Sequence, residues 1–137
     1  YLNFIDGSAR GVPAFYQMKA RGTFAPMGPY LVTADEVPDP QHLQVKLWVN
    51  GQLKQNFNTD DMAHKIPRCI EWVSHIHDLE PGDIITTGTP PGVGMGVKKD
   101  GKPAPVFLKK GDVMHVGIQG LGEQMQKVVA FKRQASK

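Results

Sequence analysis

Glycine and proline punctuate this sequence at short intervals, and their placement constrains the fold more than any other feature. The chain has 15 glycines and 11 prolines among its 137 residues, and most of them separate short apolar or alternating runs. Both residues favour turns and are poorly tolerated inside long helices. Short runs bounded by turn residues are typical of β-strands. The pattern therefore predicts a mostly-β fold.

Six or seven of these runs are predicted as strands. The clearest is Gln44–Val49, where polar and apolar residues alternate as in a half-buried strand. Asn50-Gly51 supplies the positive φ angles of a tight turn, so this run and residues 52–56 are predicted as a β-hairpin. The other predicted strands share a short apolar run between turn residues: 1–5, 29–33, 84–87, 113–118 and 124–131. Residues 97–105 are predicted as an exposed hairpin loop.

One helical region is predicted after the hairpin. Residues 58–61 provide a capping side chain and acidic residues suited to a helix start. Apolar residues then recur with helical spacing through residues 62–76. Pro67 is expected to open a second helical segment, because proline cannot donate a hydrogen bond inside a helix. The helix is expected to end near His77-Asp78. One helix among several strands indicates a mostly-β or α+β roll or sandwich.

Composition excludes several classes of function. No apolar run approaches the roughly 18 residues that a membrane span requires, and the net charge of +3 is modest. The basic pairs Lys98-Lys99, Lys109-Lys110 and Lys132-Arg133 are scattered, so they are interpreted as solvated surface and nucleic-acid binding is not expected. Cys69 is the only cysteine, so it forms no intrachain disulfide; a buried thiol and a reducing cytoplasm are expected.

Two segments carry polar side chains suited to a reactive site. Asp6 directly follows the first apolar run, where a strand end can hold a carboxylate rigidly for a hard cation such as Mg²⁺. Arg10 has the planar fork that binds a carboxylate, and Lys19 could stabilise a developing enolate. Thr89 lies in residues 85–94, whose glycines let a ligand approach the backbone. Taken singly, each signal also fits a surface ion pair or an ordinary loop.

The order of these signals resembles the fumarylacetoacetate hydrolase family. A strand leads to Asp-x-Ser-x-Arg at residues 6–10, and Lys19 precedes Thr-Phe-Ala-Pro-Met-Gly-Pro at residues 23–29. Leu-Glu-Pro-Gly-Asp-Ile-Ile-Thr-Thr-Gly-Thr-Pro-Pro-Gly-Val-Gly then occupies residues 79–94, and this motif is highly specific. The match runs from Tyr1 to about Phe131. The resemblance implies a mixed β-sandwich roll with one packed helical segment, a cytoplasmic homodimer, and a place in aromatic compound catabolism.

The resemblance also implies the site and its chemistry. Asp6 corresponds to a carboxylate that binds Mg²⁺, with Mn²⁺ or Ca²⁺ as alternatives, and Lys19 to the catalytic lysine. Arg10, Gln17 and Thr89 correspond to groups that bind a small keto-acid substrate. The implied reaction is hydrolysis of a carbon–carbon bond in a β-diketo acid such as an acylpyruvate. Lewis-acid polarisation by the metal and the charge of Lys19 would stabilise the resulting enolate.

Departures from the family pattern leave alternatives open. The family's Glu-x-Glu metal ligands and His-Glu pair belong upstream of Asp6, so residues 1–137 are interpreted as a partial catalytic domain that lacks its upstream segment and is inactive alone. Pro13 stands where the family often has glutamine, which makes Gln17 the nearest candidate. Isomerisation or decarboxylation of a hydroxymuconate- or oxaloacetate-like diacid at the same metal site is one alternative. An inactive fragment or binding module is another.

Overall fold

Antiparallel strands make up most of the regular structure in the computed structural model, which describes residues 1–131. The strands of this part of the chain are β1 (Leu2–Phe4), β2 (Met27–Leu31), β3 (Gln44–Val49), β4 (Gln52–Asn58), β5 (Lys98–Lys99), β6 (Lys102–Pro103), β7 (Val113–Ile118) and β8 (Gly122–Lys127). The helices are α1 (Phe15–Lys19) and α2 (Ile66–Ser74), with single 3₁₀ turns at Ala34–Glu36, Thr59–Asp61 and Gly94–Gly96. The predicted mostly-β class is confirmed.

The central sheet has four strands in the order β4-β3-β7-β8. The β3–β4 hairpin is closed by Asn50 (φ 51°) and Gly51 (φ 77°), as predicted. Its ladder shifts register between Leu47 and Trp48. Every strand pairing among residues 1–131 is antiparallel.

A buried amide joins the small β1–β2 sheet to the central one. Asn3 of β1 is fully buried, and its Nδ2 donates to the carbonyls of Val116 (3.1 Å) and Gly122 (3.3 Å). The Nε2 of Gln124 donates in turn to Oδ1 of Asn3 at 3.2 Å. Buried polar groups are normally paired in this way, since an unpaired one is costly. The anchor fixes β1 against β7 and β8, three residues before Asp6.

The prediction of a strand at residues 84–87 is wrong. These residues form no ladder with any other described residue. The flanking Gly82 (φ 107°) and Gly88 (φ 89°) adopt left-handed conformations that turn the chain at both ends. The strand predicted at residues 124–131 also ends earlier than expected, at Lys127.

The predicted helix is divided and shorter than expected. Asn58 caps only the 3₁₀ turn Thr59–Asp61, where its side chain accepts from the N–H of Asp60 at 3.1 Å. Met62 is extended (φ −59°, ψ 125°), which ends that turn. The helix proper is α2, which opens with Pro67 in its first turn, as predicted, and ends at Ser74 rather than near His77-Asp78.

Three further predictions concern exposure and short elements. Residues 7–25, predicted as a loop, contain the short helix α1. Cys69 is half-buried rather than buried, because α2 buries none of its residues in the described structure. The predicted hairpin at 97–105 is confirmed as β5–β6, whose side chains are exposed.

Lys132-Arg133 lies outside the described residues. Within residues 1–131, no helix is long and apolar enough to cross a membrane.

Candidate active site

The end of β1 holds Asp6 between two backbone anchors. The N–H of Ile5 donates to the carbonyl of Pro26 (3.1 Å), and the N–H of Gly7 donates to the carbonyl of Phe24 (2.9 Å). The two segments lie so close that a Cβ at Gly7 would be 2.6 Å from the Phe24 oxygen. Glycine is therefore required beside Asp6, and the backbone that carries the carboxylate is held on both sides.

The short helix α1 brings Lys19 to this carboxylate. The N–H of Ala9 donates to the carbonyl of Met18 at 2.9 Å, which ties the last turn of α1 to the segment after β1. The Nζ of Lys19 donates to Oδ2 of Asp6 at 2.5 Å and to Oγ of Ser8 at 2.7 Å. The Lys19 and Asp6 side chains are 36% and 33% exposed, so solvent screens the pair and its contribution to stability is small. Asp6, Ser8 and Lys19 thus form one polar cluster.

The cluster provides one carboxylate for a divalent cation. Oδ1 of Asp6 accepts no hydrogen bond from residues 1–131, since Lys19 uses only Oδ2. A carboxylate oxygen is the hard donor that Mg²⁺ and Mn²⁺ prefer. Nowhere in the described chain do three or more His, Cys, Asp or Glu side chains gather at metal-binding distance. Asp6 therefore fits the role of one ligand in a site completed by other groups.

The second predicted segment, with Thr89, is held on β4 rather than at the Asp6 cluster. Gln55 of β4 donates from Nε2 to Oγ1 of Thr89 (3.1 Å) and to the carbonyls of Pro90 (3.0 Å) and Pro91 (3.4 Å). At Gly92 (φ 107°), a Cβ would lie 2.0 Å from the Lys54 carbonyl oxygen, so this loop packs directly on the strand backbone. No hydrogen bond joins Thr89 to Asp6 or Lys19 in the described structure.

Comparison with known protein families identifies the family of this chain. Residues 1–129 match the family model described as fumarylacetoacetate (FAA) hydrolase C-terminal. The chain belongs to the fumarylacetoacetate hydrolase family. The resemblance inferred from the motifs at residues 6–10 and 79–94 is therefore confirmed, and the match covers both segments of the candidate site.

Relatives and solved structures of the family agree with this assignment. A Burkholderia multivorans protein described only as a candidate hydrolase is 55% identical over 108 residues, which are 79% of this chain and 37% of that protein. The maleylpyruvate hydrolase of Sphingobium sp. SYK-6, solved with manganese(II) and pyruvate, is 40% identical with a TM-score of 0.78 over 94% of this chain and 43% of its own. The 5-carboxymethyl-2-hydroxymuconate delta-isomerase of Mycobacterium smegmatis is 34% identical with a TM-score of 0.67. The match covers 82% of this chain and 39% of the isomerase chain.

These family members are hydrolases and an isomerase, and the chain spans less than half of the length of each. One of the solved structures holds a divalent metal together with a keto acid. The family is thus one of enzymes, and one member at least binds a divalent metal ion.

Among the described residues, the side chains of Arg10 and Gln17, also expected in the family's site, form no hydrogen bond with Asp6, Ser8 or Lys19. Nη1 of Arg10 is 3.8 Å from Sδ of Met18, and the amide of Gln17 is 3.5 Å from the hydroxyl of Tyr16. Both contacts are exposed. The roles of Arg10 and Gln17 in substrate binding therefore stay predictions.

Sequence reasoning missed two residues that contact the predicted site. Ser8 could have been found, because side chains two residues apart on an extended segment point the same way, so Asp6 and Ser8 share a side. Gln55 had a weaker signal, since its position opposite Leu47 depends on the register shift in the β3–β4 ladder.

The carboxyl groups with a lowered pKa lie in turns away from the cluster. Hydrogen bonds from the Asn50 side chain and then the Lys109 N–H lower the pKa of Asp112. The N–H of Gln41 and then the His42 side chain lower the pKa of Asp39. These shifts concern the stability of turns rather than catalysis.

Proposed function

We propose that this chain forms part of the active site of a divalent-metal-dependent hydrolase that cleaves a carbon–carbon bond in an acylpyruvate-like β-diketo acid. The observation that carries the proposal is the cluster of Asp6, Ser8 and Lys19 just after β1. There a carboxylate lies against an ammonium group, and its Oδ1 accepts no hydrogen bond from the described residues. The 40% identical Sphingobium hydrolase, which holds manganese and pyruvate, supports both the metal and the keto-acid product.

Asp6 would hold Mg²⁺ through Oδ1, with Mn²⁺ and Ca²⁺ as alternatives. A bound divalent ion supplies Lewis-acid polarisation of the keto-acid oxygens. The backbone hydrogen bonds of Ile5 and Gly7 on the two sides of Asp6 would hold the carboxylate in position for the cation. A neutral side chain at position 6 would lose the charge that attracts a divalent ion.

Lys19 would act on negative charge that develops in the substrate. An ammonium group has three N–H donors, and Asp6 and Ser8 accept two of them. The third is left for a substrate oxygen. Water adds to the carbonyl of the acyl group, and cleavage of the carbon–carbon bond releases that group as a carboxylic acid. The electron pair of the bond stays on the keto-acid fragment as an enolate, which then takes up a proton. A fixed cation stabilises the enolate charge as it forms. Arg10, Gln17 and Thr89 would bind and orient the substrate carboxylate.

A second candidate reaction is isomerisation or decarboxylation of a related diacid. It is favoured by the 34% identical hydroxymuconate isomerase, whose structure resembles this chain with a TM-score of 0.67. The same cation and lysine would stabilise an enolate in either reaction, and the two reactions differ in whether water attacks. A substrate panel distinguishes them, because hydrolysis of an acylpyruvate releases pyruvate whereas isomerisation of a hydroxymuconate-like diacid changes only its absorbance.

We also propose that the protein works as a homodimer. Several large apolar side chains are exposed in the described chain, including Phe15 (76%), Trp72 (61%) and Ile76 (70%), and extensive exposed apolar surface is typical of interaction sites. Light scattering of the purified protein tests this, since a monomeric mass at micromolar concentration would contradict it.

The experiment for the proposed reaction uses protein expressed from its complete coding sequence. Pyruvate release from acylpyruvates is followed before and after chelation, in the wild type and in Asp6→Ala. Loss of activity in both cases supports the proposal. Activity that is unchanged by chelator, or that is complete in Asp6→Ala, contradicts it.

A further inference from the structure

The orientation of the Gln55 amide is determined by its partners. Two of them, the carbonyl oxygens of Pro90 and Pro91, can only accept hydrogen bonds. The NH₂ group of Gln55 must therefore point toward the loop, because the opposite orientation would bring two carbonyl oxygens against the amide oxygen. Gln55 is only 9% exposed, so water does not offer an easy substitute for these bonds.

This orientation sets the role of the Thr89 hydroxyl. Since Nε2 of Gln55 donates to Oγ1 of Thr89 at 3.1 Å, the oxygen acts as an acceptor on that side. The hydroxyl hydrogen must then point away from Gln55. A threonine in this state is ready to donate to an anionic oxygen on the open side of the loop.

The same side chain also fixes the position of the loop. The amide bonds three successive residues, 89–91, and Gly92 allows the backbone to rest on the Lys54 carbonyl. A side chain at position 92 would displace this contact, since its Cβ would be 2.0 Å from that oxygen. One buried amide thus controls both where Thr89 lies and which way its hydroxyl donates.

We propose that Gln55 is a positioning residue for substrate binding: it holds the Thr89 hydroxyl as a hydrogen-bond donor toward the carboxylate of a keto-acid substrate. This rests on the proposed function, which assigns Thr89 to substrate binding. Gln55 itself touches no substrate in this account, so its effect on binding must pass entirely through the loop at residues 89–91.

The test is a double-mutant cycle between Gln55→Glu and Thr89→Val in the protein expressed from its complete coding sequence. Glutamate keeps the size of glutamine, but its carboxylate accepts a hydrogen bond from the Thr89 hydroxyl. That hydroxyl is then no longer available to donate to the substrate. We expect Gln55→Glu to raise KM for an acylpyruvate by about tenfold or more, with a smaller change in kcat. In the Thr89→Val background, which has no hydroxyl to reorient, the same change should raise KM by less than about twofold.

Gln55→Met provides a second variant, since it removes the donors without adding charge or an acceptor. Its expected effect on KM lies between those of wild type and Gln55→Glu. The matched control is Gln52→Glu, because Gln52 is an exposed glutamine on the same strand whose side chain accepts a hydrogen bond from Lys54. Equal KM values for Gln55→Glu and Gln52→Glu, or a full tenfold rise in the Thr89→Val background, would overturn the proposal.

Hydrogen exchange of the backbone amides in residues 86–93 gives a readout that needs no substrate. Faster exchange there in Gln55→Met than in Gln52→Glu is expected if Gln55 holds the loop, whereas equal exchange would refute its positioning role. A wild type with no activity on any acylpyruvate would refute the proposed reaction instead, and the exchange measurement would still decide whether Gln55 holds the loop. A failure of the positioning role of Gln55 can therefore be distinguished from a failure of the proposed reaction.

Discussion

Replacing Asn3 by aspartate tests whether one buried amide fixes β1, and with it Asp6, to the central sheet. The Asn3 side chain is fully buried and donates to the carbonyls of Val116 and Gly122 at 3.1 and 3.3 Å. Aspartate has almost the same shape but, when ionised, has no N–H or O–H to donate. The oxygen that replaces Nδ2 would face two carbonyl oxygens in a site closed to water, while the other oxygen would still accept from Nε2 of Gln124.

The expected loss of stability follows from these contacts. A buried acceptor left without its donor costs about 1–3 kcal/mol, so two such carbonyls lower the free energy of unfolding by about 2–6 kcal/mol. Burial of an uncompensated charge adds to this loss, at about 1.4 kcal/mol for each unit by which the pKa of the introduced carboxyl is raised.

The pH dependence separates the cost of the unpaired carbonyls from the cost of the buried charge. Burial raises the pKa of the introduced carboxyl in the folded state above its unfolded value of about 3.9. The charge penalty is therefore absent below about pH 4 and grows as the pH rises toward the folded pKa. The difference in unfolding free energy between wild type and Asn3→Asp should be larger at pH 7 than at pH 4.

Urea unfolding followed by circular dichroism measures these free energies. Asn56→Asp is the matched control, because Asn56 is exposed on β4 and its Oδ1 accepts from Gln44, which a carboxylate can also do. We expect the control to change the free energy by less than about 0.5 kcal/mol. A loss under about 1 kcal/mol in Asn3→Asp, or one that does not vary with pH, would refute the reasoning.

Three further predictions concern the site and its surroundings. Gly7→Ala should lower the melting temperature and weaken Mn²⁺ binding measured by calorimetry, because its Cβ would meet the Phe24 carbonyl at 2.6 Å; Gly22→Ala, where nothing lies within 4 Å, should change neither. Lys19→Met should reduce kcat by about 10²–10³-fold with little change in melting temperature, since a cation that stabilises developing charge is lost. The stability that Asp112 provides should be present above about pH 4 and lost as the pH falls through the lowered pKa of its carboxyl in the folded state. Urea unfolding of Asp112→Asn and of the wild type between pH 3 and 7 would measure this loss.

Each of these predictions has a distinct contrary result. Equal melting temperatures and Mn²⁺ affinities for Gly7→Ala and Gly22→Ala would show that the close approach at Gly7 does not position Asp6. A kcat for Lys19→Met equal to that of Lys54→Met, which removes an exposed lysine on β4, would remove Lys19 from the reaction. A stability difference between Asp112→Asn and wild type that is constant with pH would show that the Asp112 contacts do not favour its charged form.

Local chemistry allowed some parts of the fold to be predicted from the sequence. Asn50-Gly51 determines its own turn through positive φ angles, so the hairpin could be placed without knowledge of the rest of the chain. Residues 84–87 show the opposite case. Their apolar, β-branched run fits a strand, but a strand also needs a partner, and none of residues 1–131 provides one.

The contacts of the candidate site were likewise predictable only in part. Asp6 and Lys19 were expected together from the family resemblance, and a hydrogen bond joins them. The contact between Gln55 and Thr89 could not be predicted, because a regular ladder counted from Asn50-Gly51 would place Lys54 opposite Leu47. The register shift between Leu47 and Trp48 places Gln55 there instead. A bulge of this kind depends on tertiary packing, which the local sequence does not reveal.

The most direct test of the central claim is pyruvate release from an acylpyruvate by the protein expressed from its complete coding sequence, measured with and without chelator. We expect that chelation abolishes pyruvate release, that Mn²⁺ or Mg²⁺ restores it in the wild type, and that neither ion restores it in Asp6→Ala. Pyruvate release that resists chelation, or that Asp6→Ala retains in full, would contradict the assignment of Asp6 to a catalytic divalent-metal site.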